Sequence, residues 1–240
     1  MAIKKKVSRK QLLKEPDEFL TLSARLFQYV VKHKYQMLAA LGGVILIVLT
    51  VSGWSYHSRQ RANESLAQLQ KSWNRYETLR NGKDKDPVLA YQEVRTEFEQ
   101  LIADSGDKPG GKMARVIFAD ICYDAGEADK AIALYQSALE DFTQPFYRDQ
   151  ILNGLGYAYE AKKEYETALE YFRKISAGSD PVLKAEALFN MGRLYAALGN
   201  TEKSQQAYQK IIADSPQSFY AELAKERTGN KAVEPAASAN

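Results

Sequence analysis

The stretch LNGLGYAYEAKKEYETALEYF, residues 152–172, sets small and aromatic side chains at fixed intervals and holds almost nothing reactive. Leu152, Leu155, Gly156 and Tyr159 come first, and Ala168 and Phe172 follow after a polar gap. The same order returns in Leu188, Met191, Gly192 and Tyr195, then Ser204, Tyr208 and Pro216. A weaker copy precedes both, in Phe118, Ala119 and Cys122, then Ala131 and Tyr135. Gly156 stands 37 residues after Ala119, and Gly192 stands 36 after Gly156. A fourth copy keeps only its second half, since FEQLIADSG at 98–106 echoes YQKIIADSP at 208–216.

Each period has room for two helices, each with one apolar face at 3.6-residue spacing. Gly156 and Gly192 let the second helix of a unit come close, and Ala168 and Ser204 supply the facing small residues. Tyr159, Phe172, Tyr195 and Tyr208 fill the space between adjacent pairs. Gly126 and Gly199 fall where the helices of a unit turn, and glycine takes that backbone without a Cβ clash. A two-helix unit cannot bury its own apolar face, so neighbours must stack into a solenoid with a concave surface. The expected fold is all-α: a helix-turn-helix solenoid over 85–228, closed by a capping helix from Ser218 to Arg227. Residues 229–240 read as a disordered tail.

This pattern resembles the tetratricopeptide repeat family over roughly residues 86–228. The spacings exceed that family's usual period of about 34 residues. Leu152 and Leu188 also stand where the family pattern has an aromatic residue.

Upstream, the chain carries no charge from Tyr35 to Tyr56. Roughly 20 apolar residues in a helix cross a hydrocarbon core of about 30 Å. Tyr35 at one end and Trp54 with Tyr56 at the other suit the two interfaces. Residues 35–56 therefore predict one N-terminal transmembrane helix. A cleaved signal peptide is the competing reading, with Thr50-Val51-Ser52 as a loose small-x-small match. Its apolar core is normally about 7–15 residues, behind a short charged region. Here 34 residues come first.

Before the apolar run stand nine basic residues, among them Lys4, Lys5, Lys6, Arg9 and Lys10, against Glu15, Asp17 and Glu18. That segment carries +6, and a whole-chain charge of +3 leaves −3 for the remainder. A basic tail on a mildly acidic body gives no support to nucleic-acid binding. The basic excess stays on the cytoplasmic side, although Arg59 and Arg61 on the other flank soften the contrast. The N-terminus is thus expected in the cytoplasm and residues 57–240 outside it. Within the basic tail, 1–34, Pro16, Asp17 and Glu18 mark a helix start. Phe19, Leu22, Leu26, Tyr29 and Val30 share one face, which suits either a helix lying on anionic lipid or a lead-in to the span. Beyond the span, 57–84 reads as a linker helix with a heptad-like seam of Ala62, Leu66, Leu69, Trp73 and Tyr76. Barely two heptads favour packing on the first repeat helices over dimerisation.

The layout is similar to the YfgM-like single-pass group of the bacterial inner membrane: short basic tail, one span, tetratricopeptide-like periplasmic domain. The resemblance implies work beside the Sec translocon and periplasmic chaperones.

Reactive chemistry is scarce. His33 and His57 lie at opposite edges of the span. Cys122 is the sole cysteine, so no intrachain disulfide or cysteine zinc cluster can form. It falls where the better copies have Tyr159 and Tyr195, and it reads as a buried thiol. KPGGK, 108–112, lacks the Walker pattern and reads as a loop. The acidic groups Glu160/Glu164/Glu166 and Asp120/Asp124 read as solvated helix faces. No catalytic residue, metal or cofactor is expected, and the chain is not read as an enzyme.

The family resemblance implies a groove lined by the first helix of each unit. Matching on Gly156 and Gly192 places Gln150, Asn153, Tyr157 and Glu160 in it, then Glu186, Phe189 and Arg193, with Val116, Asp120 and Tyr123 from the weak unit. Asn153, Tyr157, Glu160, Phe189, Arg193 and Tyr123 are the candidate partner-binding residues. Val116 and Asp120 break the family's carboxylate-clamp pattern. A mixed groove with aromatic anchors fits an extended peptide or a partner helix. The expected function is a non-enzymatic, membrane-anchored adaptor of the bacterial envelope. One alternative is a structural homo-oligomer built through the seam and repeats, without a client. Another is an organellar outer-membrane receptor with its domain in the cytosol.

Overall fold

The computed structural model of the chain describes residues 18–82 and 86–229, with side chains from residue 24 onward. The expected helix start at Pro16, the side chains of Phe19 and Leu22, and the tail 230–240 lie outside the described residues. The helices are α1 Glu18–Lys32, α2 Lys34–Arg80, α3 Pro87–Ser105, α4 Pro109–Asp124, α5 Ala128–Asp141, α6 Pro145–Ala161, α7 Tyr165–Ser176, α8 Pro181–Ala197, α9 Thr201–Asp214 and α10 Phe219–Thr228. Among the described residues no strand occurs. The chain divides into two compact units, Met1–Gln60 and Arg61–Asn240.

In the first unit, α1 leaves Leu26, Phe27, Tyr29 and Val31 exposed. The start of α2 is long and apolar enough to cross a bilayer. Its side chains at Leu38, Leu41, Val44, Ile45, Leu46, Ile47, Val48, Leu49 and Val51 are all exposed. The Thr50 hydroxyl donates to the Leu46 and Ile47 carbonyls at 2.9 Å. Apolar side chains outward and polar atoms satisfied within the helix are what a hydrocarbon environment demands.

The second unit is a helix-turn-helix solenoid. The hairpins α4/α5, α6/α7 and α8/α9 stack in order, α3 packs on α4, and α10 closes the far end on α9 and α8. Pro109, Pro145 and Pro181 open the first helices at intervals of 36 residues. Proline suits that position because its missing N–H would be unpaired there anyway. Asp86 and Asp180 cap α3 and α8, each accepting from two first-turn N–H groups.

KPGGK is not a loop. Lys108 is the N-cap of α4, and Pro109, Gly110 and Gly111 form its first turn. Both glycines are buried. The Ser65 hydroxyl accepts from the Gly110 N–H at 3.2 Å and donates to the Ala62 carbonyl at 2.7 Å. A glycine pair here removes side chains where two helices must touch, a demand set by a residue 45 positions away.

The helix segment 61–80 packs along α4. Leu69 and Tyr76 join the core cluster that holds Phe98, Phe118 and Cys122. Arg75 pairs with Glu93 and Glu97 of α3, and Arg80 pairs with Asp124 at 3.4 Å. Its buried stripe is Ser65, Leu69, Ser72 and Tyr76, while Leu66 of the expected seam stays exposed. The two serines rotate the contact face away from the full heptad seam, because small side chains admit the closest helix approach. Cys122 is fully buried, and burial pushes its thiol up to about 12, which keeps it neutral and unreactive.

Gly156 and Gly192 sit under aromatic rings of their own hairpins. A Cβ on Gly156 would lie 2.6 Å from the Phe172 ring, and one on Gly192 would lie 2.5 Å from the Tyr208 ring. Ser204 ties the same spot by donating to the Gly192 carbonyl at 2.8 Å. At the turn positions Gly126 has φ +83° and Gly199 φ +75°. The equivalent third turn holds Lys163 with φ +63°. A side chain at positive φ costs about 1 kcal/mol or more relative to glycine. Glycine's greater loss of backbone freedom offsets part of this, so Lys163→Gly is expected to stabilise the fold by up to about 1 kcal/mol, read as a higher midpoint in a thermal melt. A lowered midpoint contradicts the strain.

Candidate functional site: a tyrosine-lined groove

The C-terminal halves of α4, α6 and α8 bring five of the six candidate residues together. Tyr123 of α4 and Tyr157 of α6 stand with ring centroids 6.5 Å apart. The Tyr157 hydroxyl donates to Glu186 at 2.9 Å and accepts from the Asn190 amide at 2.8 Å. Asn153 donates to the same Glu186 oxygen at 3.1 Å. Arg193 grips Glu160 with two parallel bonds of 2.9 Å and also reaches the Asn190 carbonyl oxygen at 3.0 Å. Fork-to-carboxylate pairing of this kind fixes direction as well as distance. The result is a continuous ladder from α6 to α8 that sets how one unit sits on the next.

Beside the ladder opens a shallow cleft of about 440 Å³, lined by Tyr123, Tyr157, Glu160, Ala161, Lys163, Tyr165 and Arg193. Burial pushes the Tyr157 hydroxyl above its ordinary range, with Glu186 adding to the effect, so it remains a neutral donor. Tyr123 is raised by burial as well. Toward the first turns of α4 and α6 lies a smaller apolar slot of about 80 Å³, formed by Met113, Val116, Ile117, Phe142, Tyr147, Gln150 and Ile151. Val116 and Gln150 belong to the face expected from the sequence, so that face joins a polar cleft to an apolar slot.

Phe189 is not a groove residue. It is 9% exposed and packs against Tyr208 at 5.6 Å and Tyr220 at 5.7 Å. The capping helix α10 supplies Tyr220 and covers the face that inner units leave open. Truncating Phe189 would therefore lower stability, not binding alone.

The acidic pairs are also less free than their sequence suggests. Asp120 accepts a bond from the Tyr135 hydroxyl. The residue is exposed, yet neighbouring protein surrounds its carboxyl. Burial raises the Asp120 carboxyl above the usual range, Asp124 adds to this, and the Tyr135 bond opposes both. Asp124 is paired with Arg80, and Glu160 with Arg193. Lys162 at the turn bridges Asp129 and Glu164, each at 2.8 Å.

Glu186 and Asn190 carry as much of the ladder as the candidates themselves. Asn190 is 3% exposed and takes the place that Gly154 holds one period earlier. A buried amide inside the apolar stripe LFNMG was the available signal. Among the described residues no group of three His, Cys, Asp or Glu side chains could hold a metal ion. The surface offers neutral hydroxyls, an aromatic pair and one oriented ion pair, which is recognition chemistry.

A family model described as a tetratricopeptide repeat-like domain matches residues 31–227. No curated protein matches the chain. Among solved structures, a tetratricopeptide repeat protein from Parabacteroides merdae aligns at 23% identity with a TM-score of 0.52. That alignment covers 71% of this chain and 61% of the other, so the chain spans less than two thirds of that relative. BtubC from P. vanneervenii aligns at 12% identity and TM-score 0.43, over 72% and 85% of the two chains. PilF from Pseudomonas aeruginosa aligns at 16% and 0.36, over 72% and 99%. At these identities only the first alignment bears on the argument, and it bears on fold alone.

Proposed function

Because the chain belongs to the tetratricopeptide repeat-like domain family, we propose that it is a membrane-anchored, non-enzymatic adaptor that holds a protein partner. The observation that carries this reading is the cleft of Tyr123, Tyr157 and Arg193, three side chains of hot-spot type held on a rigid scaffold. The finer proposal places the anchor in a bacterial inner membrane, the N-terminus in the cytoplasm and the solenoid in the periplasm. It follows the YfgM-like layout, with Sec translocon components and periplasmic chaperones as the partner class. The self-assembly alternative is weaker, since Leu69 and Tyr76 of its seam are already buried in the chain's own core.

Two measurements test the proposal. A reporter active only outside the cytoplasm should work when fused after Gly229 and stay silent when fused before Tyr35; the reverse pattern refutes the topology. For the groove, a photocrosslinking residue at Tyr123 or Tyr165 in intact cells should capture a partner, and the same residue at Glu170 on α7 should not. Tyr123→Ala should then weaken capture about tenfold, a loss of about 1.4 kcal/mol, read well below a melting midpoint that itself falls because the ring also packs on the core. Capture indifferent to Tyr123 moves the interaction off this face.

A further inference from the structure

The three most exposed large apolar side chains described in the second unit are Phe146, Val182 and Phe219, at 61, 65 and 71%. They do not scatter. Phe146 and Val182 follow the opening prolines of α6 and α8, and Phe219 opens α10. Tight turns alternate the direction of successive helices, so α4, α6, α8 and α10 run parallel and their first turns lie along one edge of the solenoid. Tyr147 and Met113, at 43 and 40% exposed, widen the same row.

The segment 61–80 identifies which edge this is. Its Ser65 meets Gly110 in the first turn of α4, and its Arg80 pairs with Asp124 in the last. It therefore runs parallel to α4, and its beginning lies on the edge of first turns. Nine chain steps lead from Tyr56, the end of the apolar run, to Ser65. At about 3.3–3.6 Å per extended residue, that tether holds the Gly110 end of this edge within roughly 30 Å of the end of the apolar run.

We propose that the edge of first turns is a lipid-contacting surface, with Phe146, Val182 and Phe219 entering the interface of the bilayer that anchors the chain. This rests on the membrane-anchored reading above. Met113 and Tyr147 border the apolar slot, but Phe146, Val182 and Phe219 stand outside it as one projecting side chain per unit. Such a row fits a flat fluid surface better than a shaped protein partner, whose hot spots sit in pockets. Phe146 and Phe219 each stand edge-on to a tyrosine, at 5.5 and 5.6 Å. An apolar ring beside a ring with a polar tip matches the headgroup boundary. Such docking would fix the groove's height and tilt above the membrane.

The test uses the full chain reconstituted in phosphatidylcholine vesicles. Phe146, Val182 or Phe219 is replaced singly by cysteine and labelled with an environment-sensitive fluorophore; buried Cys122 does not compete for the label. Lys163→Cys and Leu198→Cys on the opposite edge serve as controls. Lipid-borne nitroxide should quench the three edge labels at least threefold more than the controls. A label at Met113→Cys should show the same quenching, and lose it when Phe146, Val182 and Phe219 are all changed to Ser. Equal or absent quenching, in protein that stays with the vesicles through an alkaline wash, overturns the lipid edge and leaves the anchor standing. Release by the wash overturns both. Unlabelled edge cysteines that a bifunctional thiol reagent crosslinks to a second copy, at sites whose labels are not quenched, also reject it.

Discussion

Gly110→Ala is expected to destabilise the second unit by about 3 kcal/mol or more, although it adds a single methyl group. A Cβ at this position falls inside the van der Waals surface of the Ser65 backbone and lies 2.6 Å from the Leu66 nitrogen. Backbone cannot rotate aside as a side chain can, so two helices must separate. Separation also stretches the Ser65–Gly110 hydrogen bond and loosens Leu69 and Tyr76 from their shared core. Alanine's better helix propensity returns at most about 1 kcal/mol. In a domain of this size the loss corresponds to a midpoint lowered by roughly 6–12 °C. Gly156→Ala is the matched control, since it meets only the outer atoms of the Phe172 ring, which can tilt. A circular-dichroism melt in detergent compares the two. If Gly110→Ala melts no lower than Gly156→Ala, the segment 61–80 does not pack on α4 as described.

The glycine pair 110–111 also shows where sequence stops informing. Gly156 and Gly192 are legible because each belongs to a repeated period, with its aromatic partner Phe172 or Tyr208 at a constant 16 residues. Gly110 has no such partner in its own period; it answers to Ser65, and nothing local announces that. Phe189 fails for a related reason. Its place in the period says groove, but α10 breaks the repeat and puts Tyr220 over it. Lys163 was hidden by substitution, since its turn keeps the positive φ without the glycine that signals it. The ladder was legible only in part. Asn153–Glu186, Tyr157–Asn190 and Glu160–Arg193 are each 33 residues apart, one period less about one helical turn. Composition placed these polar residues on first helices, but mutual satisfaction depends on how two units are rotated.

Gly156→Leu and Gly192→Leu should both cost about 3 kcal/mol or more, and they should differ in how far the damage spreads. Each forces a branched side chain into space held by a ring 2.6 or 2.5 Å from where its Cβ would begin. In a stacked array, stability is a sum of unit terms and neighbour interfaces, so a defect propagates through the interfaces it breaks. Gly156 lies in the central hairpin. Displacing Phe172 disturbs the cluster that reaches into α8 through Ala187 and Leu194, and it moves Tyr157, whose ring packs edge-on against Phe172 at 5.5 Å. Tyr157 anchors the ladder, so the α6–α8 interface fails with the hairpin. Gly192 lies next to the end. Its variant displaces Tyr208 and the Ser204 bond, and the affected cluster is confined to α8, α9 and α10. Hydrogen exchange on the full chain should therefore show lost protection from α6 through α10 in Gly156→Leu. In Gly192→Leu the loss should be confined to residues after Pro181, with α4 to α7 still protected. Equal loss along the whole array in both variants would mean that the solenoid unfolds as one cooperative block; intact protection in either would mean that the glycine is not a close-approach point.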